Sequence, residues 1–287
     1  MNEILELLRT SPTVAAACAL LFGLCIGSFL NVVILRLPKM LEREWQQQAA
    51  ELRGEEMPVH EPRFNLLTPG SHCPACGHRL RVWENLPLLG WMLVRGRCSA
   101  CGVPITIRYP LVELLSGLLS AAAVLQFGVS MAALGAMILG FALIALAFID
   151  LDTQLLPDDI TLPLLWVGLG FNLFGIFTTL ESAIIGAAAG YLALWSIYWI
   201  FRLATGREGM GYGDFKLLAA LGAWFGWPSL PAIIVLSSAV GATVGITLIL
   251  ARRQARSVPI PFGPYLAGAG LLALYFAEPM SRQFGLI

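Results

Sequence analysis

All five aspartates of this chain sit where a carboxylate can do chemistry. Asp150, Asp152, Asp158 and Asp159 crowd the stretch FIDLDTQLLPDD, directly after an apolar run over 131–149, and Asp214 stands in GMGYGDFK at the head of another apolar run. A carboxylate at a membrane edge is costly and marks a functional candidate. Two carboxylates held close cannot both ionise easily, so they share a proton. The ionised one can take a proton from water while the protonated one polarises a carbonyl, which is the chemistry of peptide hydrolysis. Asp150 and Asp214 are the pair to test. The same two acids would equally serve a proton relay or an ion site, or be loop acids that never meet. Gly211 and Gly213, flanking Tyr212 in GYGD, are read as backbone that approaches a substrate or adopts positive φ. Asp158 and Asp159 precede ITLPLLW and read first as caps of the next helix. Lys216 is read as tuning the Asp214 charge or as a snorkelling cation.

Four cysteines form the second constellation. CPAC (Cys73, Cys76) and CSAC (Cys98, Cys101) are separated by 21 residues, close to the spacing of paired CxxC zinc sites. Each CxxC turn aims two thiolates at one point, and four make a closed tetrahedral site, so structural zinc is expected. His72 and His78 beside the first pair are read as bystanders, and His60 carries no signal. Cys18 and Cys25 lie in an apolar run and read as small buried hydrophobes. Glu113, in RYPLVELL, should face protein or water; it is a candidate for a substrate groove or for pairing with Arg108, and equally an interfacial residue.

The elements that must position these groups are membrane helices. The chain has 287 residues, 57% hydrophobic and 13% charged, with a mean hydropathy of +0.76. A soluble domain carries about 25% charged residues. The expected fold is an all-α polytopic membrane protein with about eight transmembrane helices and a cytoplasmic zinc-binding loop domain after the first. The spans are expected at about 13–35, 110–128, 131–149, 160–178, 182–203, 214–227, 230–251 and 261–279. The domains read as 1–35, an N-terminal transmembrane helix; 36–109, the four-Cys loop; and 110–287, the membrane-embedded part. Gly23, Gly27 and Ser28 offer a face for close helix approach, and Asn31 needs a hydrogen-bond partner. Pro58, Pro62 and Pro69 break the polar section into loop. Leu86–Val94 is too short to span and is expected at the interface, with Trp83 and Trp91 as anchors. The N-terminus MNEILELLRT is net acidic, so no cleavable signal peptide is expected.

Basic residues set the expected topology. Ten of the 18 Lys and Arg fall in 36–108; Arg202, Arg207, Lys216, Arg252, Arg253 and Arg256 follow, with Arg9 and Arg282 near the other side. By the positive-inside rule, 36–108, 150–159, 204–213 and 252–260 face the cytoplasm, which puts Asp150 and Asp214 at one depth. A reducing compartment there favours metal over disulfide. The 18 basic and 18 acidic residues balance, so no nucleic-acid partner is expected. A transporter and a membrane scaffold are the rival classes.

GSFLNVVILRLP, the CPAC and CSAC loop, RYPLVELL, FIDLDTQLLPDD, GMGYGDFK and PFGPYLAGA together resemble the bacterial type IV prepilin peptidases. These are bifunctional leader peptidases and N-methyltransferases of pilus and type II secretion systems, with a GxGD-type aspartic site. The resemblance implies that Asp150 and Asp214 are catalytic. It implies cleavage of a short basic leader from prepilins and pseudopilins at the cytoplasmic face of the inner membrane, then methylation of the new N-terminus with S-adenosylmethionine. The family often carries Gly-Lys before the second CxxC, in a segment linked to methylation. Here the pair is Gly96-Arg97, and the two are taken as neighbours of the S-adenosylmethionine site. Membrane lipid is the other expected partner, and basic leader residues are expected to meet acids such as Asp152 or Asp158.

Overall fold

The computed structural model describes residues 10–54, 64–251 and 261–283, with backbone alone at 249 and 277–283. Arg9, Pro58, His60, Pro62, the basic segment 252–260 and the side chain of Arg282 lie outside the described residues. Among the described residues every regular element is a helix. The chain packs as two compact units, divided between Val129 and Ser130.

In the first unit, α1 spans Pro12–Arg53, α2 is the short Leu89–Leu93, and α3 is Arg108–Phe127. Helix α1 opens with Pro in its first turn and stops at Gly54, whose φ of 68° is left-handed. The boundary expected at 35–36 is not a break, because α1 runs through it with Pro38 inside. The composition change after Arg36 marks a change of solvent, not the end of a helix. At 1.5 Å per residue α1 is about 63 Å long, roughly twice the hydrocarbon thickness. Gly23 and Gly27 let α3 approach: a Cβ at Gly27 would meet the Glu113 Cα at 2.6 Å. Buried Asn31 donates to the Tyr109 carbonyl at 3.1 Å, as its environment demanded. Cys18 and Cys25 are exposed on α1, not buried, because their turns face away from α3. Leu86, Leu89, Met92 and Leu93 are exposed, an apolar surface suited to the membrane interface.

The second unit holds α4 (Met131–Thr153), α5 (Asp158–Asn172), α6 (Leu180–Thr205), α7 (Tyr212–Phe225), α8 (Leu230–Leu250) and α9 (Gly263–Gln283). Among the described residues, five helical stretches are long and apolar enough to cross a membrane: Pro12–Arg53, Arg108–Phe127, Met131–Thr153, Leu180–Thr205 and Trp227–Leu248. This is a multi-pass membrane protein. The eight-span expectation counted α5, α7 and α9 as well. Helices α5 and α7 have 15 and 14 residues, short of the ~20 that span a bilayer, and the apolar part of α9 is Gly263–Phe276.

Helix α5 ends at 172 rather than running to 178, and Asn172 is the reason. Its buried amide donates to the carbonyls of Ala223 and Trp224 at 2.8 and 3.0 Å. Its oxygen accepts the N–H groups of Phe177 and Thr178, both at 3.0 Å. One side chain thus closes the turn after α5 and caps the end of α7. Trp224 stacks on Phe171 and donates to the Leu164 carbonyl at 2.8 Å. On the other side of α7, Gly186 and Gly222 press backbone to backbone, and a Cβ at Gly190 would meet the Leu218 carbonyl oxygen at 2.7 Å. These are small residues four apart, the spacing that lets membrane helices touch.

Candidate active site and metal centre

Asp150 lies one turn from the end of α4. It is 5% exposed, while its neighbours Leu151 and Asp152 turn outward. Gln154, at φ 55°, closes the helix by donating to the Asp150 carbonyl at 2.9 Å. The Asp150 side chain accepts one backbone hydrogen bond, from the Gly263 N–H to Oδ2 at 2.9 Å. Gly263 is the first residue of α9.

Asp214 lies in the first turn of α7 and is 6% exposed. Gly211 precedes the helix with φ −82°, and Gly213 is helical. Neither glycine takes the positive φ that the sequence suggested. Gly213 is needed for space instead, since a Cβ there would meet the Leu156 Cβ at 2.6 Å. The tip of the same Leu156 would lie 3.1 Å from a Cβ at Gly263. One side chain therefore packs on the glycine beside Asp214 and on the glycine that donates to Asp150. The segment before α7 is tied back by Tyr198, which donates to Glu208 at 3.2 Å and accepts from Arg202 at 3.0 Å. The Tyr198 ring packs on Tyr212 and Phe215.

The remaining acids separate from this pair. Asp152 and Asp159 are exposed. Pro157, not an aspartate, occupies the cap of α5, and Asp158 and Asp159 fall in its first turn, where negative charge suits the helix dipole. Lys216 does not reach Asp214. Its ammonium donates to both oxygens of Asp158 at 2.6 Å, joining α7 to the start of α5.

The four cysteines converge. Their sulfurs all lie within 4.8 Å of one another, with Cys73 and Cys101 3.8 Å apart and Cys76 and Cys98 3.9 Å apart. A tetrahedron of Zn–S bonds near 2.3 Å has edges of about 3.8 Å, so the residues fit a zinc ion. The two turns are built alike. In each, the first Cys N–H donates to the carbonyl five residues on (His78, Val103), and the Gly after the second Cys donates back to the first Cys. Gly77 and Gly102 both have φ of 72°. The paired ACG of CPACG and CSACG was the signal for this repeat.

Backbone amides of Cys76 and Ala75 hold the Cys73 thiol down to about 7, and those of Cys101 and Ala100 lower Cys98. Cys76 receives the His78 N–H, yet burial and the neighbouring thiols push it up to about 12. Four thiolates so close need a cation among them. Glu84 braces the arrangement. It accepts from the Arg81 N–H at 2.7 Å and the Ser99 hydroxyl at 2.5 Å, which hold its carboxyl below the ordinary range, and it meets His78 at 3.4 Å. His78 is thus part of the brace rather than a bystander. Spacing gave no sign of Glu84.

Glu113 is buried and accepts the Leu88 N–H at 2.8 Å, holding a turn whose Leu88 has φ 59°. Gly96, at φ 66°, packs under Trp91: a Cβ there would meet the ring at 2.8 Å. Trp91, half-buried, also donates to the Ile105 carbonyl at 3.2 Å, so its ring braces the loop. Arg97 is exposed. The space at Gly96 is filled by the Trp91 ring.

Residues 21–127 match the Bacterial Peptidase A24 N-terminal domain, and residues 137–246 match the Type IV leader peptidase family. The chain is 55% identical over 285 residues to the prepilin leader peptidase/N-methyltransferase of Aeromonas hydrophila, covering 99% of this chain and 98% of the relative. It is 53% identical over 282 residues to the Stutzerimonas stutzeri protein of the same name, covering 97% and 96%. With its Pseudomonas aeruginosa counterpart it shares 50% over 281 residues, covering 98% and 97%. No solved structure matches the chain. A likeness of this depth, running from end to end through both the cysteine loop and the helices that carry Asp150 and Asp214, means that the chain belongs to the type IV leader peptidase family.

Proposed function

We propose that this protein cleaves the short basic leader from type IV prepilins and pseudopilins, and N-methylates the new terminal residue. The reading is supported by the end-to-end identity to relatives that bear both activities in their names. The observation that supports its chemistry is that Asp150 and Asp214 are both buried, with Leu156 packed on Gly213 beside Asp214 and on Gly263, which donates to Asp150.

In this mechanism the pair holds one proton. The ionised carboxylate takes a proton from water as the oxygen adds to the scissile carbonyl, and the protonated carboxyl hydrogen-bonds the developing oxyanion. Collapse of the tetrahedral intermediate breaks the C–N bond. The leaving amine takes a proton from the pair, which returns to its one-proton state. In this reading the α5 segment returns the chain across the membrane between α4 and α6, and the bias of basic residues then supports a site at the cytoplasmic face of the inner membrane, with the apolar part of the substrate in lipid beside the enzyme's helices. Cys73, Cys76, Cys98 and Cys101 would hold a zinc ion, whose role with four thiolate ligands would be structural. S-adenosylmethionine supplies the methyl group. Gly96 and Arg97 stay in this reading only as neighbours of its site, and no step is derived through them.

The test is incubation of the purified protein with a prepilin in detergent or vesicles, followed by mass spectrometry of the product. The expected result is a shortened, methylated pilin. Asp150→Asn and Asp214→Asn each reduce cleavage by at least about 10³-fold while the protein stays folded, as loss of an acid–base group does. A folded Asp214→Asn variant that cleaves at the original rate overturns the aspartate pair.

A further inference from the structure

We propose that Gly263 is the positioning residue for Asp150, acting through two properties of its own: a backbone N–H and the absence of a side chain. The proposal rests on the aspartate-pair reading above and goes beyond it, because it assigns a role to the PFGP segment that opens α9.

Two independent observations carry it. The Gly263 N–H donates to Asp150 Oδ2 at 2.9 Å. A Cβ built on Gly263 would stand 2.6 Å from that same oxygen and 3.1 Å from the Asp150 Cγ. Real Cβ atoms do not approach an oxygen so closely, so any side chain at 263 must push the carboxyl aside. The hydrogen bond occupies Oδ2 and orients the carboxyl plane, leaving Oδ1 as the oxygen to meet water. Hydrogen bonds to a charged acceptor are the strong ones, and a rigid backbone donor costs nothing to reorganise. Pro261 and Pro264 flank the donor and restrict the backbone on both sides. Gly263 also enters α9 directly before Pro264, where a Cβ is disfavoured in helical conformation. The test therefore has to separate the N–H from the missing side chain.

Four variants do so in the full-length protein, with kcat and KM for prepilin cleavage as the readout. Gly263→Ala keeps the N–H and adds the Cβ. It is expected to lose about 100-fold in kcat, the cost of displacing a reacting group by about an ångström. KM stays unchanged, because the interaction matters to the reaction and not to substrate binding. Replacing Gly263 by its hydroxy-acid analogue removes the N–H and adds nothing to the packing; kcat falls about tenfold or more, the weight of one hydrogen bond to a charged group. Gly268→Ala, on the same helix at a site with open space, keeps wild-type kcat. Gly263→Ala with Leu156→Ala removes the 3.1 Å contact with Leu156 but not the one with Asp150, so kcat stays low.

Wild-type kcat in either Gly263 variant, recovery of kcat in the Leu156 double variant, or a loss carried by KM alone overturns the positioning role. If Asp150→Asn is inactive in the same assay, the aspartate pair survives that outcome. If Asp150→Asn is active, the pair itself falls and Gly263 with it.

Discussion

Glu84 does for the cysteine loop what a good outer partner does for any metal site: it orients the groups that hold the ion. Its carboxylate ties Arg81, between the two turns, to Ser99 in the second and His78 beside the first. Replacing it with Ala is expected to weaken zinc 10- to 100-fold without removing a ligand, measured by competition with a chromophoric chelator. The sign of the pH effect follows from the thiols. The Cys73 thiol titrates at about 7 in the fold, below its ordinary 9.0, while Cys76 is pushed up to about 12, so a proton already competes with the metal at Cys76 at neutral pH and a further thiolate is lost as pH falls through about 7. Zinc affinity should therefore drop steadily on acidification below about pH 7, with protons taken up as the metal leaves. An affinity that is flat between pH 7 and pH 5 contradicts thiolate ligation.

At the scale of elements, the second unit is organised by α7. Residues of α5 lock one side through Asn172 and Trp224, and α6 presses on the other through Gly186, Gly190 and Gly222. Lys216 adds an exposed ion pair from α7 to the start of α5, worth at most about 1 kcal/mol and weakened by salt. The glycine contact matters more. Gly222→Val must force α6 and α7 apart and is expected to cost about 3 kcal/mol or more, as overpacking of a close interface does. Gly170→Ala, on α5 where nothing lies within reach, should be neutral or slightly stabilising. Thermal unfolding of the two variants in one detergent checks the contrast.

For the whole molecule, hydropathy and charge showed an all-helical membrane chain and placed both candidate aspartates at helix ends, because an acid at the edge of an apolar run is conspicuous. The same signal could not show which helices face lipid. Helix α7 is apolar because protein surrounds it, and a hydropathy window reads both environments alike. The continuity of α1 through 35–36 was hidden for a related reason: Arg36 onward is polar, but polarity reports solvent and not backbone conformation. The Asp150–Gly263 hydrogen bond joins residues 113 positions apart, and no local pattern announces a contact made by a backbone N–H. Ten residues of the 14-residue α7 are buried, Asp214 among them. At about 21 Å that helix is too short to enter a bilayer as an independent span. During biosynthesis it can settle only after α5 and α6 have built its berth. On the aspartate-pair reading, the second carboxylate then reaches the first only in a fully assembled molecule. A nascent chain carries Asp150 without its partner, so the peptidase stays inert until its own folding is complete.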